Sequence, residues 1–241
     1  MFVYGLFLAL GFLVSGFVVF FFAREEFKEE EYMDAYLYTS FIALVCARIF
    51  YILTHFGSFG YDVIRYVVVR EEPGLSLFGA LAGGFAFLWY YAQRHKFNFL
   101  HVLDIFAVAS LLGFSIASLG VFLGGGSFGI ETNLPWGVSV AGMSGLRHPV
   151  EIYQVVLFLV MFVIFLYIRK FFRKEAGMVS AFYILGISTI IFLLEFLKSQ
   201  TVYLYDPFSP NHVLSAVFGL AAAGYIIYQL YLKRKERQKK A

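Results

Sequence analysis

Arg147, His148, Glu151 and Tyr153 fall within one short stretch of the chain, interrupted by Pro149. These are the residue types that anion binding and proton transfer use. A guanidinium keeps its charge and offers paired N–H donors to a phosphate. An imidazole titrates near neutrality and so serves as a general base. His148 is the only histidine here that stands beside both an arginine and a nearby carboxylate. A plainer reading uses the same residues. Pro149 suits the first turn of a helix, where its missing N–H costs nothing. Arg147 and Glu151, spaced i, i+4, then make an ion pair at a helix start.

The elements that must position these groups are membrane helices. Of 241 residues, 61% are apolar and 15% charged, and the mean hydropathy is +0.77. Soluble domains are nearer half apolar and a quarter charged. This composition excludes a soluble globular domain, a disordered chain and a disulfide scaffold. The single cysteine, Cys46, has no intramolecular partner. A helix needs about 20 apolar residues to cross a hydrocarbon core. Seven such stretches occur, at about 2–23, 33–55, 75–93, 99–123, 150–171, 179–198 and 211–232. Barrel-type alternation is absent, and lipid admits only helices and closed barrels. The expected fold is all-α, a single seven-helix transmembrane domain over 1–241. The first stretch lacks a basic leader and a small-residue cleavage site, so it is expected to be retained as a helix.

Lysine and arginine in the loops orient the bundle. Arg24, Lys28, Arg94, Lys96, Arg169, Lys170, Arg173, Lys174 and six basic residues in the tail 233–241 fall on one side. Arg65, Arg70, Arg147 and Lys198 fall on the other. The expected topology places the N-terminus outside and the C-terminus inside. The tail carries most of the net charge of +3 and reads as a topology anchor.

Ionisable residues inside a membrane are costly and mark candidate sites. Arg48 lies roughly 22 Å along the second helix, taking 1.5 Å per residue. Glu195 falls at a similar height in the sixth. The two suit an ion pair that fixes helix packing, or a site. Tyr4 opens the first helix at the outer face. Polar groups of helices one, two, five and six therefore gather in the outer leaflet. His55 and His212 read as interfacial residues at outer helix ends. His101 and Asp104 read as a capping arrangement at the start of the fourth helix.

A long outer loop, about 124–149, joins helices four and five, and long loops are usually functional or disordered. It opens with Gly124-Gly125-Gly126-Ser127-Phe128-Gly129 and continues through Leu134-Pro135-Trp136-Gly137. Its glycines suit a close backbone approach to a phosphate, with Gly125 and Gly129 as candidates, or a flexible turn. Spacing for a metal site, a P-loop or a nucleophile elbow is lacking. No metal, cofactor or nucleic acid is expected.

Arg147-His148-Pro149-x-x-x-Tyr153 resembles the R-H-P-S-Q-L-Y-E run of the prolipoprotein diacylglyceryl transferase family. Tyr4-Gly5-Leu6, Cys46-Ala47-Arg48-x-x-Tyr51, Gly74-Leu75-Ser76 with Gly79, Leu134-Pro135-Trp136-Gly137 and Leu194-Glu195-Phe196-x-Lys198 resemble further family segments in the same order. The resemblance implies a multi-pass enzyme of the bacterial inner membrane. It would move the diacylglyceryl group of phosphatidylglycerol to the thiol of a lipobox cysteine in a prolipoprotein. Arg147 and Arg48 are then expected to bind phosphate and His148 to act as base. Glu195 joins the catalytic group, and Tyr4, Glu151, Tyr153, Gly125 and Gly129 join the substrate contacts.

The chain also departs from the family pattern. Phe78 stands where the family has a histidine. Ser118 and Ile191 stand for arginines, Val121 and Gly124 for asparagines, and Gly126 for a glutamate. Three readings follow. The chain is a transferase on a rebuilt site, an inactive homologue that binds a phospholipid or lipoprotein as a partner, or an enzyme for another amphiphile.

Overall fold

A computed structural model describes residues 2–26, 28–54, 76–126, 128–199 and 208–240. His55, Arg65, Arg70, Gly74, Leu75 and Ser127 lie outside the described residues. Seven helices occur among those described: α1 (Phe2–Arg24), α2 (Glu29–Thr54), α3 (Leu77–Arg94), α4 (Phe99–Leu123), α5 (Val150–Phe172), α6 (Met178–Glu195) and α7 (Pro210–Lys240). Three two-residue strands, β1 (Glu131–Thr132), β2 (Val138–Ser139) and β3 (Leu146–Arg147), lie between α4 and α5. Six of the helices are long and apolar enough to cross a membrane, which makes this a multi-pass membrane protein. The exception is α3. Its 18 described residues include three glycines, Gln93 and Arg94, which dilute the apolar run. Leu6, Leu13, Phe17, Phe171 and Leu220 are exposed on helix surfaces. Lipid tolerates such exposure, because it is as apolar as the side chains.

The chain forms two compact units, Met1–Val18 with Leu103–Ala241, and Val19–Val102. In the second, α2 packs on α3 through glycines. A Cβ at Gly79 would sit 2.5 Å from the Phe50 Cβ, and one at Gly83 would overlap Cys46. Gly79 and Gly83 are four apart, so they lie on one face and let the two backbones approach. Ser76 caps α3, its hydroxyl accepting the Gly79 N–H at 3.3 Å. Below them His101 Nε2 meets Glu26 at 2.6 Å, and the Tyr32 hydroxyl donates to the same carboxylate at 3.0 Å.

In the first unit, α1 and α4 meet at Gly11 and Gly113, where a Cβ on Gly11 would lie 2.8 Å from the Gly113 carbonyl. Asp104 corrects the expected cap. It does not cap its own helix; Asn98 does that, accepting the Leu100 N–H at 3.1 Å. The buried Asp104 carboxylate instead accepts the Gly177 N–H (2.8 Å), the Ser180 N–H (2.7 Å) and the Ser180 hydroxyl (2.5 Å) at the start of α6. The first N–H groups of a helix have no partner within it, so a buried start needs such an acceptor. Asp104→Ala is expected to lower stability by about 3 kcal/mol, because buried donors are left unsatisfied. Thermal unfolding in detergent reads this, and an unchanged midpoint would contradict it. The basic tail is not a separate extension: α7 continues to Lys240 without a break, and Lys233 pairs with Glu175.

Candidate functional site

The loop between α4 and α5 folds into a three-stranded antiparallel sheet in the order β1-β3-β2. Glu131 pairs with Arg147 across one ladder, and Val138 pairs with the same arginine across the other. The central strand therefore delivers Arg147 and then His148 to the start of α5. The loop is also tied to the end of α6. The Ile130 N–H donates to the Leu197 carbonyl at 2.8 Å, and the Ser199 hydroxyl donates to the Phe128 carbonyl at 3.0 Å. Gly129 is required here. A Cβ on it would lie 2.6 Å from both the Cβ and the carbonyl of His148, and 2.8 Å from the Leu197 carbonyl.

His148 is held on both sides of its backbone. Its N–H donates to the Ile130 carbonyl at 3.1 Å, and its carbonyl accepts the Gly129 N–H at 3.0 Å. The half-buried ring is held as well. Nδ1 lies 3.1 Å from the Tyr153 hydroxyl oxygen, which accepts the Trp136 indole N–H at 2.9 Å. Tyr153 lies in the first turn of α5, and Trp136 lies in the turn between β1 and β2. Three elements thus aim one imidazole.

Arg147 is half-buried, and its Nε is buried with no hydrogen-bond partner among the described residues. An unsatisfied buried donor is costly and marks a place for an acceptor. The expected helical pairing with Glu151 does not hold as a helix contact, because Arg147 is in β3 and α5 begins at Val150. Glu151 is buried in the first turn of α5.

Two cavities meet at His148. The larger, about 530 Å³, is bordered by Glu131, Thr132, Asn133, Leu134 and His148. The smaller, about 340 Å³, is bordered chiefly by Phe122, Phe128, Val138, Val140 and Ala141, with Gly125, His148 and Glu151. Two cavities that share one oriented histidine are an arrangement a two-substrate reaction can use.

The glycine run serves helix α4 first. Gly125 is left-handed at φ +66°. The N–H of Gly125 donates to the Phe122 carbonyl at 3.1 Å and that of Gly126 to the Val121 carbonyl at 3.0 Å. This is a Schellman C-cap, and only glycine adopts its left-handed residue without strain. The N–H of Gly124 is used by Gly120 at 2.9 Å. These three donors are engaged within the cap, so what Gly125 contributes is a section of cavity wall.

Glu195 is buried and borders neither cavity. Oε1 accepts from the Ser209 hydroxyl (3.1 Å) and the Asn211 amide (2.9 Å), and Oε2 lies 3.0 Å from Lys198 Nζ. Its charge is met by its own neighbourhood. His212 stands at a helix end, in the first turn of α7, and is 1% exposed. Ser209 and His212 cap α7 reciprocally. The His212 N–H donates to the Ser209 hydroxyl at 3.3 Å, and the Ser209 N–H donates to His212 Nδ1 at 3.1 Å. This is a capping box with histidine in the usual Glu or Gln place, and Pro210 sits at the first helical position.

Ser118, where the resemblance puts an arginine in the family, donates to the Gln154 side-chain oxygen at 3.2 Å. A neutral pair joins α4 to α5 there. Tyr4 is exposed beside Gly124. Arg48 belongs to the other unit, half-buried in α2, and follows Ala47, whose carbonyl accepts the Ser76 N–H at 3.0 Å. Sequence reasoning missed Trp136 and Glu131. The Leu-Pro-Trp-Gly turn was a signal for the first. No signal pointed to the second, because its role depends on strand pairing.

The chain matches the family model described as prolipoprotein diacylglyceryl transferase over residues 1–228. It is 30% identical over 245 residues to the phosphatidylglycerol–prolipoprotein diacylglyceryl transferase of Geobacter sulfurreducens, covering 96% of this chain and 91% of that one. The enzyme of the same name from Clostridioides difficile is 27% identical, with 97% and 92% covered. That from Pseudoalteromonas atlantica is 31% identical, with 84% and 74% covered. With the match running nearly end to end, through the Arg147–Tyr153 segment that joins β3 to α5, the chain belongs to the prolipoprotein diacylglyceryl transferase family.

Proposed function

We propose that this protein transfers the diacylglyceryl group of phosphatidylglycerol to the cysteine thiol of a prolipoprotein lipobox. The observation that carries the reading is His148, oriented by Tyr153 and Trp136 and open to two cavities. With its proton on Nδ1, His148 donates to the Tyr153 oxygen, and Nε2 has a lone pair for the thiol proton. The thiolate is the nucleophile. A bond forms between its sulfur and the glycerol carbon that bears the phosphate. The C–O bond to phosphate breaks, and the electron pair leaves on glycerol phosphate. Arg147 stabilises that leaving anion, a role its unsatisfied Nε supports. Tyr4, Glu151, Gly125 and Gly129 complete the substrate contacts, and Glu195 is a positioning residue that joins α6 to α7 through Ser209 and Asn211.

The chain then acts as a single domain of the bacterial inner membrane. It has seven spans, with the N-terminus outside and the basic tail inside, so that the 124–149 loop faces the outer leaflet. A reporter fused to the C-terminus that is active only on the inner side is expected to be active, and silence would reverse the orientation. The transfer itself is tested with phosphatidylglycerol labelled in its headgroup. Glycerol phosphate is released only when a lipobox peptide is present. Release without peptide, or none at all, contradicts the reading.

The Ser118–Gln154 pair favours a second reading. Without a cation there, the chain binds a phospholipid or lipoprotein and acts as a partner. A lipid that co-purifies while no glycerol phosphate is released identifies this case.

A further inference from the structure

The loop between α4 and α5 presents large apolar side chains to its surroundings. We infer that the patch made by Leu134, Pro135, Trp136 and Leu146 docks on the membrane itself, with the Trp136 indole seated where lipid headgroups meet acyl chains. This seat does not depend on whether the chain transfers a diacylglyceryl group.

Leu134, Pro135, Trp136 and Leu146 are all exposed, and Trp136 keeps 57% of its surface open. They form one patch. The Gly137 N–H donates to the Leu134 carbonyl at 3.0 Å, which closes the turn from β1 to β2, and a Cβ on Gly137 would lie 2.8 Å from the Leu146 Cβ. A contiguous exposed apolar patch marks a surface that something covers. The occupant is not chosen by charge. Between residues 124 and 149 only Glu131 and Arg147 carry one, and they stand opposite each other in the β1–β3 ladder.

Continuity with a lipid-facing surface makes that occupant the bilayer. The Trp136 indole N–H donates to the Tyr153 hydroxyl at 2.9 Å, which sets the indole level with the first turn of α5, a helix that can cross a membrane over Val150–Phe172. Val156 and Leu157 lie three and four residues beyond Tyr153, on the same side of the helix, and both are exposed. The patch therefore runs into a surface that lipid already covers. The turn is also built for such a neighbour. Its Leu134 N–H donates to the Thr132 hydroxyl at 3.2 Å, its Gly137 N–H is used within the turn, and Pro135 has no N–H. It brings few unpaired donors to an apolar medium, where each is costly. An indole with its polar edge tied and its apolar body open suits this boundary, where tryptophan gathers in membrane proteins.

The test reads the fluorescence of Trp136. Trp89 is the other tryptophan of the chain and lies exposed on α3, so Trp89→Phe leaves Trp136 alone. The full-length variant is placed in nanodiscs of neutral phosphatidylcholine, which leave both faces open to added solutes. Bromine carried high on the acyl chains is expected to remove most of the emission. Bromine near the chain ends, and iodide in the water, are expected to remove little. Strong quenching by iodide puts the turn in water and overturns the proposal. So does strongest quenching by chain-end bromine, which puts the indole deep in the bilayer, or quenching by none of the three, which covers the patch with protein. Two further measurements read the cause. Leu146→Asp in the same background is expected to weaken bromine quenching and strengthen iodide quenching, because a carboxylate draws the patch toward water; unchanged quenching overturns the proposal. Exchanging phosphatidylcholine for phosphatidylglycerol is expected to change nothing, because the patch is neutral. Bromine quenching that appears only in phosphatidylglycerol would make the contact one with a particular headgroup and also overturns it.

Discussion

Replacing His148 with alanine is expected to slow diacylglyceryl transfer about 10²–10⁴-fold, the usual loss when a positioned base is removed. The effect should fall on turnover, because the imidazole acts on the thiol proton and contributes little to holding either substrate. His148 is also packed: its backbone is bonded to Gly129 and Ile130, and its ring stands edge-on to Tyr153 at 6.0 Å. Glutamine separates the two roles. His148→Gln keeps a polar side chain of similar reach but takes up no proton near neutrality. A rate as low as that of alanine with an unfolding midpoint near wild type assigns the loss to proton transfer. If both variants turn over like wild type, the proposed base is wrong.

Arg147→Ala is expected to cost about 10²–10³-fold, the size seen when one donor to a developing anion is lost. Here the structural control is favourable. Arg147 Nε is buried without a hydrogen-bond partner among the described residues, so removing it leaves no acceptor stranded. Stability should therefore hold while transfer falls. Arg147→Lys should recover only part of the rate. An ammonium supplies charge but not the paired donors of a guanidinium. A drop in stability that matches the drop in rate would instead make Arg147 a strut between β1 and β2, its two ladder neighbours.

The helices were legible in the sequence because lipid imposes one rule on every span: a long apolar run. Six runs reappear as helices that can cross a membrane. The third is richer in glycine, which allows close packing on α2 at Gly79 and Gly83. The segment Arg147–Tyr153 was legible from residue types. Its strand–turn–helix form was not, because a two-residue strand leaves no periodicity to read. Asp104 shows the same limit. Its type announced a cap, but the helix it caps begins 73 residues later at Gly177, and only folding brings them together. The burial of His212 was not legible for a related reason. A histidine near a helix end suits an interface, and its burial comes from Phe192, Phe196 and Phe208, which surround it. The glycines after α4 suited either an approach to a phosphate or a turn, and their N–H groups close the helix.

The departures at Ser118, Val121, Gly126 and Ile191 make transfer itself the claim most worth testing. The direct measurement mixes the purified protein with phosphatidylglycerol and a lipobox peptide and follows the peptide mass. The account predicts a gain of one diacylglyceryl unit on the cysteine, absent when that cysteine is serine. No gain, under conditions where the Geobacter sulfurreducens relative modifies the same peptide, would contradict it.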